Sequence, residues 1–290
     1  MFTREWNVLL VDDEPDVLSV SRLAMRNFEV YGQPLKIHTA ESEAQALELL
    51  NGGLMRQGGY LNLPVAFIDV VMETDSAGLE LCQHIREGMQ NKITVLYVRT
   101  GQPGIAPERT VIDHYDISGY FTKVEATEDK LYSLVKSGVR QYYAAGVSFA
   151  HSQLLHQLIV AAGSRERMAQ TLSRAMSTHQ VDATGKRFEG ELYKRWIIAD
   201  GRVIAGGTGG DEAEALALRG RLNQLRGTPF GKEGDKCVID GSHLLIKVAN
   251  TPDNAEVYDV MAGSFPPPGF ITFTLYQFLK SFSTLWLKAR

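Results

Sequence analysis

Five short apolar runs, each closing on polar residues, alternate with helical patterns along the first half of the chain. Val8–Val11 empties into Asp12-Asp13-Glu14, and Leu35–Ala40 is the second run. Pro64–Asp69 ends on its own aspartate, Val95–Val98 leads into Arg99-Thr100, and Tyr120–Lys123 closes the set. The segments between them read as helices. Pro15–Phe28 opens with proline at a favoured first position. Ser42-Glu-Ala-Gln45 has the form of a capping box, with Gly52 as the stop, and Ala77–Glu87 ends at Gly88. Five strand–helix units predict right-handed crossovers and a doubly wound parallel α/β sheet with helices on both faces. The carboxyl ends of such strands share one rim, where ligands bind. Asp12, Asp13, Asp69, Thr100 and Lys123 all fall on that rim. A carboxylate pair, a lone carboxylate, a hydroxyl and an ammonium group together point to phosphorylation, with Asp69 as acceptor.

The second half has another rhythm. A helix over Thr127–Ala144 is expected to run toward the second domain through Gly146, and a new helix reads over Ser148–Ala162, with Leu154, Leu155, Leu158 and Ala162 on its apolar face. Arg165–His179 continues as helix and Val181–Glu189 as polar loop. Leu192–Ala199 and Val203–Ala205 read as a hairpin around Asp200-Gly201, a strong two-residue turn signal. A helix over Asp211–Leu225 follows, then strands at Lys236–Asp240, Ser242–Ala249 and Glu256–Ala262, and a closing helix at Ile271–Lys288. The expected domains are residues 1–145 and 146–290.

Composition narrows the class. A chain of 290 residues has room for two cores. Cys82 and Cys237 stand at no metal-ligand spacing and read as reduced packing residues. Residues 1–124 hold 17 acids against 10 Lys/Arg, whereas residues 125–290 hold 17 against 20. The acidic half suits magnesium. The scattered positive residues of the other half give little support to DNA binding. Met1–Asn7 lacks a secretory pattern, and no run approaches the roughly 20 apolar residues that span a bilayer. The expectation is a cytoplasmic protein without membrane insertion.

Longer motifs sharpen the reading. Asp69-Val-Val-Met-Glu-Thr-Asp75, the RTGQPGIAPE run of Arg99–Glu108, and Tyr115-Asp-Ile117 join the rim residues in a set that resembles response-regulator receiver domains. The resemblance covers roughly residues 5–145. It is strongest to a subgroup in which the receiver precedes output modules such as cyclic-di-nucleotide enzymes. It implies a flavodoxin-like fold of strand order 2-1-3-4-5 and a phosphoryl group arriving on Asp69 from a histidine kinase. Magnesium, which favours a few carboxylates plus water, would then be held by Asp13, Asp69 and the Val71 backbone carbonyl, with Asp12 acting mainly through water. Lys123 would pair with Asp69 and later with a phosphoryl oxygen. Thr100 would donate its hydroxyl, with Gly101 leaving room beside it, and Tyr120 would be the aromatic switch residue. Val124 departs from the pattern, since receivers usually place a cis proline after this lysine. The loop that follows is therefore expected to differ.

The order of elements in the second half resembles a GAF-type sensor fold, with a PAS-like or other α+β sensor fold as the alternative. Gly209-Gly-Asp-Glu212 imitates a diguanylate-cyclase motif, but a helix follows where the enzyme has a hairpin. His151 falls on an apolar helical face and His156 on a polar one, which favours packing and surface roles over phosphoryl transfer. Leu275, Phe278, Phe282 and Leu285, widened by Leu279 and Trp286, form a stripe on the closing helix. That stripe fits either cover for the domain's own sheet or a homodimer contact shared with Ser148–Ala162. The resulting expectation is a response regulator with no catalysis beyond the receiver's own phosphoryl chemistry, signalling to a downstream protein through its second domain. A nucleotide or metabolite sensor is the alternative, and a degenerate cyclic-di-nucleotide enzyme a more remote one.

Overall fold

A computed structural model describes residues 5–52, 54–56, 60–101, 108–178, 193–206, 212–230, 234–250 and 255–289. Contacts divide the chain into two units that meet in sequence between Ala145 and Gly146. The expected loop at Val181–Glu189 and the residues Pro107, His179, Leu192 and Asp211 lie outside the described residues.

In the first unit the five apolar runs become parallel strands β1 (Trp6–Val11), β2 (Gln33–Ala40), β3 (Val65–Asp69), β4 (Val95–Thr100) and β5 (Gly119–Thr122). Their order is β2-β1-β3-β4-β5, the flavodoxin-like arrangement. Strands β1 and β4 are buried along their whole length because both sheet faces are covered, which is why they read as continuous apolar runs. Helices α1 (Pro15–Met25), α2 (Glu43–Asn51), α3 (Ala77–Gln83) and α4 (Glu108–Tyr115) fill the crossovers. Leu50, Leu81 and Ile85 pack with Leu9, Val11, Ile68, Leu96 and Val98 in one core.

Three local features depart from the pattern. Tyr31 and Gly32 take positive φ (54° and 76°) and fold Glu29–Val30 back onto Gln33–Pro34 as a short antiparallel edge. Helix α3 ends at Gln83 and continues as a π-helical turn, His84–Gly88. That turn aims the buried Arg86 at the carbonyls of Asp116, Asn91 and Thr94, to which it donates at 3.0, 3.0 and 2.9 Å. The two helices expected on either side of Gly146 are one: α5 runs unbroken from Glu128 to Ala161, so the unit boundary falls inside it. A mid-helix glycine costs only about 1 kcal/mol relative to alanine. Buried Val139, Tyr143 and Val147 on either side outweigh it.

In the second unit α6 (Arg165–Thr178) precedes strands β6 (Tyr193–Ala199) and β7 (Arg202–Gly206). Helix α7 (Glu212–Gln224), strands β8 (Lys236–Asp240), β9 (His243–Asn250) and β10 (Ala255–Gly263), and helix α8 (Thr272–Lys288) complete it. The sheet is antiparallel, in the order β7-β6-β10-β9-β8 with the two-residue strand Thr228–Pro229 at its edge. Asp200 and Gly201 both take positive φ, making the hairpin turn that their sequence announces. Trp196, Ile198, Tyr258 and Val260 pack against Leu218 and Leu222 of α7. The intervening residues face α8, where Arg195 forms a bidentate pair with fully buried Asp259 and lies 5.7 Å from the Phe278 ring centre.

Helix α8 fits the first of the two readings of its stripe. Leu275, Phe278, Leu279, Phe282 and Trp286 are buried within their own unit, against β9 and β10. These residues cover the domain's own sheet, and Leu285 of the same stripe is half-buried. Among the described residues, no helix is long and apolar enough to cross a membrane.

Candidate functional site

The strand register brings the rim residues together. Val11 pairs with both Ala40 and Ile68, Asp69 with Arg99, and Thr100 with Thr122, so the polar residues at these strand ends emerge side by side. The site sits where β1 meets β3, the point at which chain connections reverse direction and a crevice opens. Asp12 continues the β1 ladder by donating its N–H to Ala40 O at 3.1 Å. Its Oδ1 accepts from Glu14 N at 2.9 Å, a local turn that starts α1 at Pro15. One oxygen from each of Asp12, Asp13, Glu14 and Asp69 lies within 4.8 Å of the others. Asp12 and Asp69 are buried, whereas Asp13 and Glu14 are exposed.

Lys123 enters from the end of β5. Its Nζ stands 2.8 Å from Asp69 Oδ2, 2.6 Å from Glu14 Oε1 and 3.2 Å from Asp12 Oδ1. Burial works to lower its proton affinity, but the hydrogen bonds to Asp69, Glu14 and Asp12 outweigh that and hold it above the ordinary lysine value. Burial is also the main influence on Asp69, raising its carboxyl above the usual aspartate range; the Lys123 hydrogen bond opposes the rise and Asp12 reinforces it. Glu14 is held below the usual range, chiefly by its hydrogen bond to Lys123.

Two further features bear on metal binding. Asp69 Oδ1 is buried and has no hydrogen-bond partner among the described residues. Four carboxylates face two cations, Lys123 and Arg99, which leaves two negative charges, the complement of one divalent ion. Hard oxygen donors without soft ligands suit magnesium or manganese. The residues therefore fit such an ion.

Of the other expected residues, Thr100 is buried at the end of β4, and Tyr120 is half-buried against the core. Val71 lies just beyond Asp69 and is half-buried. A methyl group at Gly101 would stand 3.9 Å from Lys123 Cδ, an ordinary contact. After Lys123 the chain makes a 3₁₀ turn, Lys123–Glu125, in which the Glu125 carboxylate accepts from Thr122 N and Oγ1, both at 2.7 Å. No peptide bond among the described residues is cis.

Sequence reasoning missed three participants. Glu14 was visible as the third acid of the run but was given no role. Arg99 is almost wholly buried, with Nη2 3.1 Å from Asp12 Oδ2 and Nη1 donating to Ser21 Oγ at 3.0 Å. Gly78 seats α3 on the backbone of Asp69. In the second unit, His151 is buried and stacks on Phe278 at 4.6 Å, and His156 is exposed. Cys237 is buried, and burial pushes its thiol up to about 11. Gly209, Gly210 and Asp211 lie outside the described residues, and Glu212 opens α7.

No protein-family model matches the chain. The 3'3'-cGAMP-specific phosphodiesterase 2 of Vibrio cholerae serotype O1 is 39% identical over 137 residues, which are 47% of this chain and 25% of that enzyme. The chain thus spans about a quarter of the length of the curated relative it matches. Structural neighbours are receiver domains of response regulators over about half the chain. One is the signal receiver domain of an HD domain-containing protein from Pseudomonas fluorescens Pf-5, with a TM-score of 0.41 and 20% identity over 50% of this chain and 94% of that one. Another is the Mn²⁺-bound form of the response regulator Rcp1, with a TM-score of 0.34 and 16% identity over 45% of this chain and 89% of that one.

The phosphodiesterase corrects the non-enzymatic expectation. A relative at this identity is an enzyme. That expectation rested on cyclase and kinase motifs missing from the second half, which speak to those two activities and not to catalysis in general.

Proposed function

We propose that the first unit is a response-regulator receiver that takes a phosphoryl group from a histidine kinase onto Asp69. The observation that carries this reading is the split environment of the Asp69 carboxylate. One oxygen is held by Lys123 at 2.8 Å, while the other is buried without a hydrogen-bond partner among the described residues. In the transfer, Asp69 Oδ1 attacks phosphorus, the phosphorus–nitrogen bond to the kinase histidine breaks, and the imidazole leaves with the electron pair. Lys123 moves from the carboxylate to a phosphoryl oxygen, and Thr100 donates its hydroxyl to another. Asp13, Asp69, Glu14 and the Val71 carbonyl would hold magnesium, with Asp12 behind them; when bound, the ion neutralises charge between two anionic reactants. Strain in the Thr100 and Lys123 loops would carry the signal past Tyr120.

Incubation with acetyl phosphate and magnesium tests the reading. One phosphate should appear on the wild type and none on Asp69→Asn. Labelling of that variant at the wild-type rate would refute it.

The phosphodiesterase relative favours a second element: the receiver governs cyclic-dinucleotide signalling. The second unit, with hairpin, helix, three strands and closing helix in the order expected of a GAF-like fold, would serve as sensor, partner-binding or output module, in the cytoplasm and as a homodimer. Incubation with 3'3'-cGAMP, with and without beryllofluoride, tests this. Hydrolysis that changes with the phosphoryl mimic supports the link, and absence of both hydrolysis and binding removes it.

A further inference from the structure

Arg99 has no assigned part in phosphoryl transfer, yet it is the most deeply buried cation in the site. Its side chain is 1% exposed. Nη1 is tied to Ser21 on α1, and Nη2 stands 3.1 Å from Asp12 Oδ2, near enough for charge attraction but not aligned for a hydrogen bond. Nε has no hydrogen-bond partner among the described residues. A guanidinium so poorly satisfied would be costly to bury for packing alone.

Asp12 shows what it does. Its Oδ1 accepts from Glu14 N and Lys123 Nζ, and its Oδ2 faces Lys123 and Arg99, both at 3.1 Å. Lys123 sits on a flexible stem and is free to follow a phosphoryl group. Arg99 is fixed by burial and by Ser21, and its charge is permanent. A divalent ion held beside Asp12, directly or through water, would draw on the same carboxylate charge.

We propose that Arg99 is a resident counter-ion of Asp12 that competes with divalent metal and so sets the metal affinity of the acceptor site. This rests on the receiver reading only for the site's purpose. Competition for Asp12 is a property of the charges themselves. Arg99 is a positioning residue here, since it acts through Asp12 and not on the phosphoryl group.

Magnesium alone is the probe. Arg99→Met removes the charge at similar size. It should bind magnesium at least about tenfold more tightly, because a unit charge at a few ångströms is worth more than that at a surface-like dielectric. Its metal-free melting temperature should fall, and excess magnesium should raise it further than it raises the wild type. Arg99→Lys should stay near wild-type affinity. Unchanged or weaker binding in folded Arg99→Met overturns the proposal. Should that variant not fold, the wild type decides: the Arg99 side-chain ¹⁵N resonances should move on magnesium titration, and resonances that stay in place at saturation overturn it. Acetyl phosphate labelling is scored separately, so a wild type that binds metal but is not phosphorylated defeats the receiver reading and leaves the competition standing.

Discussion

Helix α3 rests directly on the backbone of Asp69: a methyl group at Gly78 would stand 1.7 Å from the Asp69 carbonyl oxygen. Gly78 N also donates to Val70 O at 3.1 Å, so the close approach that glycine permits and this main-chain hydrogen bond together hold the end of β3 under its helix. Gly78→Ala must push α3 away or twist the end of β3. Overpacking of this kind costs about 1–3 kcal/mol. Urea denaturation should show that loss, and labelling by acetyl phosphate should slow because the carboxylate moves. Wild-type stability and rate in the variant would mean that the contact relaxes freely.

Asp69 carries an opposing sign for stability. Burial raises its carboxyl above the usual range, so the folded metal-free protein holds that proton more tightly than the unfolded chain. The stabilisation this gives is complete below the unfolded value and is lost as pH rises through the folded one. Near neutral pH the ionised group is a net burden in the absence of metal. Asp69→Asn should therefore be more stable than the wild type without magnesium, and magnesium should narrow or reverse the gap. Metal affinity should fall as pH drops toward the raised Asp69 value, since the carboxylate form would be the ligand. Denaturation and magnesium titrations across pH check both signs.

Lys123 offsets the carboxylates from the other side. Lys123→Met leaves Asp12 and Asp69 buried with Arg99 as the remaining close cation. Breaking such a cluster costs about 3 kcal/mol, and the loss should be largely recovered by magnesium. Thermal melts with and without the ion measure it. A variant equally destabilised at saturating magnesium would show that the lysine stem, and not its charge, supports the site.

These contacts mark how far the sequence could be read. Asp69, Thr100 and Lys123 were legible because each stands at the carboxyl end of a strand, and a parallel sheet carries such ends to one rim. Asp200-Gly201 was legible because a two-residue turn is written in two adjacent residues. Arg99 meets Ser21 across 78 positions, and nothing in the local pattern of β4 announces that its side chain points into the site. Gly78 looks like an ordinary glycine in a first helical turn until the strand beneath it is in place. The split into two helices around Gly146 misled in the opposite direction. The glycine's weak helix propensity was real, but buried neighbours on both sides overrode it.

The exposed part of α5 is the better surface for the proposed homodimer. Phe149 is 49% exposed and Val160 73%, and eleven residues of helix make three turns, which puts both on one face. Ile159, 60% exposed, borders them. A twofold contact there would meet its own copy, so one introduced charge enters the interface twice. Val160→Glu should weaken self-association while leaving the melting of both units unchanged. Phe282 gives the contrasting result. It is fully buried against its own sheet, so Phe282→Ala should destabilise the second unit by about 3–5 kcal/mol and affect association only through unfolding. Sedimentation equilibrium at tens of micromolar, paired with denaturation of each variant, separates the two. A wild type that stays monomeric with and without beryllofluoride removes the dimer, and a folded Phe282→Ala that dissociates while Val160→Glu does not would return the interface to α8.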